Sequence, residues 1–110
     1  MVSAATGYGE NTYKATAELF ESIKGYRDSD KLKEECLRRA ESVRKDRIYN
    51  QAQDKMNSAI TQEKYESAAS LFASIKGYRD SETLEIECLE QAEIVRKDSI
   101  LRSAKLEMDI

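Results

Sequence analysis

A stretch of seven residues, Ile-Lys-Gly-Tyr-Arg-Asp-Ser, occurs twice without change, at residues 23–29 and, 52 positions later, at residues 75–81. It belongs to a longer duplication, because residues 13–58 aligned with residues 65–110 give 25 identities in 46 positions. Apolar residues recur at helical spacing on both sides of each stretch. We therefore expect a duplicated helix–corner–helix unit, with repeat one at 7–58 and repeat two at 59–110.

The composition of the chain favours an all-α protein. The 110 residues include no Pro and only 4 Gly, and 35% of them are charged. This length suits one domain, and the near absence of helix breakers favours helices throughout. We predict one helical-repeat domain over residues 12–110, after a tail over residues 1–11 that lacks an apolar period and is expected to be disordered or frayed.

Within repeat one, the apolar spacing predicts a short helix followed by a long one. The short helix covers about residues 13–23, and Asn11 or Thr12 is its candidate cap. The long helix covers residues 30–58, either continuous or bent near residues 45–50, where the apolar stripe drifts.

Repeat two follows the same plan. Thr61 is a candidate cap for the second short helix, whose stripe runs from Tyr65 to Ile75. The second long helix runs from about Glu82 to the end of the chain. The expected fold is two tandem helix–turn–helix repeats, short–long–short–long, forming a fragment of an α-solenoid.

The repeated corner has a structural explanation at each position. Gly25 is expected to take the left-handed conformation that ends a helix, and Tyr26 to make the apolar contact that sets the exit angle. Asp28 and Ser29 are expected to cap the following helix. The core predicted from the stripes contains Leu19, Phe20, Ile23, Leu32, Cys36, Val43, Ile48, Leu71, Phe72, Ile75, Leu84, Cys88 and Val95.

Several function classes are disfavoured by the residues present. The chain has no His, no Gly-rich phosphate loop and no nucleophile elbow, so we expect no enzyme and no cofactor. Cys36 and Cys88 occupy equivalent positions and are expected to be reduced, small buried residues, and two Cys without His fall short of a zinc site. We therefore expect no metal site.

Charge and hydropathy also limit the partners. The net charge is −3 with both signs interspersed, which predicts no sequence-independent attraction to nucleic acid. No apolar run approaches the roughly 18 residues of a membrane span, so no direct membrane insertion is expected. The first residues lack the layout of a signal peptide. We predict a cytoplasmic location, either as a separate protein or as part of a larger one.

One apolar patch distinguishes the second long helix from the first. At 100° per residue, its three aliphatic side chains share one side of the helix, roughly opposite the stripe common to both repeats. An exposed patch of this kind is typical of an interface, and the alternative is that the fold itself covers it, with the N-terminal tail as one candidate cover. The replacements that create the patch are Glu34 by Ile86, Ser42 by Ile94, and Tyr49 by Leu101.

The corners themselves are a second candidate site. Basic and aromatic side chains there suit an acidic peptide or a small anionic ligand, whereas the alternative is that they serve the structure alone. These residues are Lys24, Tyr26, Arg27, Lys76, Tyr78 and Arg79.

The pattern Tyr65-x2-Ala68-x3-Phe72-x2-Ile75 resembles the second helix of a tetratricopeptide repeat. Together with Leu-Phe-x-x-Ile-x-Gly-Tyr-Arg-Asp-Ser and the following Leu-x3-Cys, it is similar to a degenerate repeat of this kind that is common in bacterial proteins. The period of 52 exceeds the usual length of about 34, and the extra residues follow Ala40 and Ala92. The resemblance implies protein–protein scaffolding without catalytic residues. The partner is then another protein or a second copy, and the second long helix is a candidate surface for self-association.

Overall fold

The computed structural model describes residues 9–108, and this part of the chain contains four helices and no strand. The order of lengths is short–long–short–long, which confirms the all-α prediction. The helices are α1 (Glu10–Glu21), α2 (Ser29–Ser58), α3 (Gln62–Ser74) and α4 (Ser81–Met108).

The structure corrects the start of the first short helix. Gly9, not Asn11 or Thr12, is the N-cap of α1, and it has no side chain to accept a hydrogen bond from the first turn. The capping prediction is confirmed for α3, where the Thr61 hydroxyl accepts a hydrogen bond from the Lys64 amide at 3.2 Å. The long helix α2 is continuous through residues 45–50. Of the predicted tail, residues 1–8 lie outside the described residues, as do residues 109–110.

The two corners have the same unusual backbone conformation. Gly25 and Gly77 have φ angles of 86° and 90°, in the left-handed region that side chains disfavour. The prediction of a left-handed glycine is therefore confirmed. Two residues further on, Arg27 and Arg79 each have a φ of 51°, which the sequence pattern did not indicate. This second left-handed residue helps to reverse the chain before the next long helix begins.

The chain divides into two compact units, unit 1 (Met1–Arg47) and unit 2 (Ile48–Ile110). This division falls inside α2, so residues 29–47 of the helix belong to unit 1 and residues 48–58 to unit 2. In unit 2, the end of α2 packs with α3 and α4 around one hydrophobic cluster. Its buried members are Tyr49, Ala52, Ala68, Ala69, Phe72, Ile75 and Cys88, with Ile48, Met56, Leu71, Tyr78 and Leu84 packed against them.

Unit 1 consists of α1 and the first part of α2. Its buried apolar side chains are small, Ala17 and Ala40, each of which is 2% exposed. Two ion pairs join the helices, Glu21 with Lys33 at 2.6 Å and Glu10 with Arg47 at 3.0 Å. Their side chains are partly exposed, so each pair contributes little stability by itself.

The core prediction holds better in unit 2 than in unit 1. Phe72, Ile75 and Cys88 are buried, as predicted, and Leu71, Leu84 and Ile48 pack against them. The prediction is wrong for Leu19, Ile23 and Leu32, whose side chains are exposed, while Phe20, Cys36, Val43 and Val95 are half-buried. The reason at Ile23 and Leu32 is that unit 2 has a third helical segment, the end of α2. Among residues 9–47, unit 1 has no corresponding segment.

Candidate functional site

The corner of unit 2 encloses a tyrosine that comes from α2. The ring of Tyr49 is 8% exposed and lies edge-on to the rings of Phe72 and Tyr78, with centroid separations of 5.8 Å and 6.1 Å. Its hydroxyl donates a hydrogen bond of 2.5 Å to Oδ1 of Asp80. We call the surrounding residues the corner socket: Phe72, Ile75, Tyr78, Arg79, Asp80 and Leu84.

The Asp80 carboxylate and burial hold Tyr49 in its neutral form. The hydrogen bond to the Asp80 carboxylate raises the pKa of the Tyr49 hydroxyl, and burial raises it further. The Arg79 guanidinium carbon lies 5.5 Å from the centroid of the Tyr49 ring and 5.3 Å from that of Tyr78. These are distances at which a cation is attracted to an aromatic face. The socket residues therefore contact both the ring and the hydroxyl of Tyr49.

Unit 1 carries the same six residue types at the equivalent positions, but here they line an open groove of about 260 Å³. Ile23 is 48% exposed, whereas its equivalent Ile75 is 2% exposed, and Tyr26 is 57% exposed. The Arg27 guanidinium lies over the Tyr26 ring at 5.1 Å, as its equivalent lies over Tyr78. We call this set the corner groove: Phe20, Ile23, Tyr26, Arg27, Asp28 and Leu32.

The structure places the predicted ligand residues of the two corners differently. In unit 2, Tyr78 is half-buried and Arg79 stacks on two rings, so both contribute to holding Tyr49. In unit 1 the equivalent pair faces the corner groove. The exposed members of the predicted set are Lys24, Tyr26, Arg27, Lys76 and Arg79.

The predicted interface residues all lie on α4 and are exposed. The exposed fractions are 55% for Ile86, 49% for Ile94 and 53% for Leu101. On the other side of the same helix, Cys88 and Ala92 are buried in unit 2. We call Ile86, Ile94 and Leu101 the α4 patch.

The end of α4 repeats the part of α2 that fills the corner socket. By the spacing of 52 residues, Ile100, Leu101, Ala104 and Met108 correspond to Ile48, Tyr49, Ala52 and Met56. All four side chains of α4 are exposed, with fractions of 54% for Ile100 and 83% for Met108. We call these four residues the α4 end face. It shares Leu101 with the α4 patch.

Tyr49 is the residue that sequence reasoning missed. Its counterpart in repeat two is Leu101, so Tyr49 was interpreted as lying off the common stripe rather than in a core. One signal was available: Ile48, Ala52 and Met56, which flank Tyr49 at helical spacing, are identical in both repeats. That conservation of type between repeats indicates a contact face at the end of each long helix.

No group of three or more His, Cys, Asp or Glu side chains that could hold a metal ion occurs between residues 9 and 108. Both cysteines are free, Cys88 is buried, and burial raises the pKa of its thiol. Of the helices described, none is long and apolar enough to cross a membrane. An open hollow of about 510 Å³ in unit 2 is lined by polar side chains such as Lys55, Thr61 and Lys64.

Neither protein-family models, nor curated proteins, nor solved structures show a match to this chain.

Proposed function

We propose that the chain is a non-enzymatic protein–protein interaction or scaffolding module of tetratricopeptide-like repeats. The observation that carries the proposal is the α4 patch, three aliphatic side chains that are each about half exposed on one side of one helix. Exposed aliphatic side chains that share one side of a helix are typical of sites that bind another protein.

The repeat architecture does not require these aliphatic residues. The equivalent positions of Ile86 and Ile94 in α2 are Glu34 and Ser42, and both of these are exposed. The same helical position therefore accepts a polar residue without loss of the fold. Ile86 and Ile94 lie outside the hydrophobic cluster of unit 2, so contact with a partner is the role that we propose for them.

One form of the proposal is self-association through α4. Covering a half-exposed aliphatic side chain contributes about 1 kcal/mol at ordinary transfer values. Three such residues, with the exposed aliphatic residues of the α4 end face beside them, supply several kcal/mol toward an oligomer. The costs of association offset part of this gain, which predicts an oligomer of moderate affinity.

The test is molar mass by light scattering after size exclusion, over a range of protein concentrations. We expect the native chain to oligomerise, and Ile86→Glu/Ile94→Glu to give a folded monomer with unchanged helicity. Ser99→Glu is the matched control, because Ser99 is exposed on the other side of α4 and its variant should oligomerise like the native chain. If the double variant unfolds, the α4 patch is core and the proposal fails. A native monomer eliminates self-association and leaves the patch to a different protein.

The alternative function is recognition of an acidic peptide or a small anionic ligand at the corners. In its favour, Lys24 and Arg27 are exposed beside an exposed aromatic ring in unit 1. Against it, Arg79 in unit 2 already stacks on two rings of its own unit. Salt dependence separates the two functions, because an ionic contact weakens steeply as salt rises and an apolar one hardly changes.

A further inference from the structure

We propose that the corner groove of unit 1 binds the α4 end face of a second copy of this chain, in a head-to-tail contact. This inference rests on the self-associating form of the proposed function. It adds the α4 end face to the α4 patch as the surface that α4 contributes, and it assigns the second surface of the contact, which the proposed function leaves open.

Unit 2 already contains a contact of this kind. There the end of α2 lies on the corner socket, with Ile48, Ala52 and Met56 packed in the cluster and Tyr49 inserted among the rings. This contact shows what kind of surface the six socket residues accept. That surface is one face of a helix. An aliphatic residue, a small residue and a methionine follow one another on it at intervals of four positions, and an aromatic residue lies beside the first.

The corner groove carries the same side chains as the socket and is open. Its six residues are identical in type to those of the socket, and its backbone has the same left-handed residues. Ile23, Tyr26 and Leu32 are 48%, 57% and 41% exposed. A surface that buries its apolar residues under a helix in one repeat has the same capacity in the other.

The end of α4 supplies a helix that matches the end of α2. Ile100, Ala104 and Met108 are identical to the α2 residues they correspond to, and all three are exposed. The exception is Leu101, which replaces Tyr49 and keeps the apolar contact but lacks the hydroxyl. The contact between two copies therefore has the packing of the internal one without its hydrogen bond to the corner aspartate.

The symmetry of this contact differs from that of a two-fold dimer. The groove of one copy contacts the helix end of the next. In a pair of copies, the first therefore keeps an unused helix end and the second keeps an unused groove. Such a heterologous contact extends to trimers and longer chains, or closes into a ring. A patch-to-patch dimer through α4 alone stops at two copies.

A mixing experiment tests the contact with two variants, Ile23→Glu in the groove and Leu101→Glu on the helix end. We expect each variant alone to be a folded monomer by light scattering and circular dichroism. We expect an equimolar mixture to form a heterodimer and nothing larger, because only one intact groove and one intact helix end remain. If Ile23→Glu does not fold, Tyr26→Glu takes its place, since Tyr26 is more exposed.

The other outcomes overturn the proposal in different ways. If Ile23→Glu still dimerises while Leu101→Glu does not, and mixing restores nothing, α4 pairs with α4. The proposed function then stands and the head-to-tail contact fails. If the native chain is monomeric at every concentration, both the head-to-tail contact and the self-associating form of the proposed function fail.

A gain-of-affinity variant gives an independent test. Leu101→Tyr restores the tyrosine, whose hydroxyl should donate to Asp28 as Tyr49 donates to Asp80. A hydrogen bond to a charged group predicts an association about tenfold tighter than that of the native chain. Adding Asp28→Asn should remove most of that gain. If the dissociation constant of Leu101→Tyr equals that of the native chain, the proposed position of α4 in the corner groove is wrong.

Discussion

The clearest test of the packing uses one residue type at equivalent positions of the two corners. Ile75 is 2% exposed and lies in the hydrophobic cluster, whereas Ile23 is 48% exposed. Replacing a fully buried isoleucine by alanine costs about 2–5 kcal/mol, from lost transfer free energy and the cavity left behind. At Ile23 about half of the transfer term applies and no closed cavity forms, so we expect a cost of about 1 kcal/mol.

The assay is urea unfolding followed by circular dichroism, at a protein concentration low enough to avoid association. Ile75→Ala should lower the free energy of unfolding by at least about 1 kcal/mol more than Ile23→Ala does. Leu19→Ala is the control for an exposed site, since Leu19 is 69% exposed and should change stability by less than about 0.5 kcal/mol. The comparison requires equal denaturant slopes in all three variants. Equal costs at Ile23 and Ile75 would refute the assignment of an open groove in unit 1 and a filled socket in unit 2.

Three further predictions concern single groups. The hydrogen bond to Asp80 raises the pKa of Tyr49, so the stability that this bond contributes should be complete below about pH 10 and lost as pH rises through the folded-state pKa. In urea titrations, Tyr49→Phe should have a lower free energy of unfolding than the native chain at about pH 8. Its free energy of unfolding should fall less than that of the native chain between about pH 8 and about pH 11. Iodoacetamide should modify half-buried Cys36 before Cys88, which is buried with a raised pKa, as read by peptide mass spectrometry; equal rates would contradict the burial of Cys88. Thr61→Ala removes the cap of α3 and should lower the free energy of unfolding by about 1 kcal/mol, whereas Thr61→Ser should leave it nearly unchanged.

Several parts of the architecture were predictable because they depend on local rules. Helical spacing, the scarcity of breakers and the repeated glycine located all four helices and both left-handed corners. The main local error was the start of α1. There Asn11 and Thr12 looked like caps but lie inside the helix, after Gly9. Preference for a capping residue is weak against the other interactions that decide where a helix starts.

The candidate site was only partly predictable. The aliphatic replacements at Ile86, Ile94 and Leu101 marked a helix face, and the structure leaves these side chains exposed. The corner residues were also recognised as a repeated set. The sequence did not indicate that Tyr49 joins one corner to a long helix, because that contact links residues 31 positions apart. The identical residues Ile48, Ala52 and Met56 indicate a contact face, but the spacing within one helix does not specify which corner that face packs against.

The amino-acid sequence by itself therefore determined the helices, their order and the conformation of the corners, which follow from periodicity and from residues such as Gly25 and Gly77. Only the tertiary structure decided which of two identical surfaces is buried. Ile23 and Ile75 have the same neighbours in sequence, yet one is half exposed and the other buried. The physical reason is that burial depends on what lies on top of a surface, and only the second corner receives the end of α2.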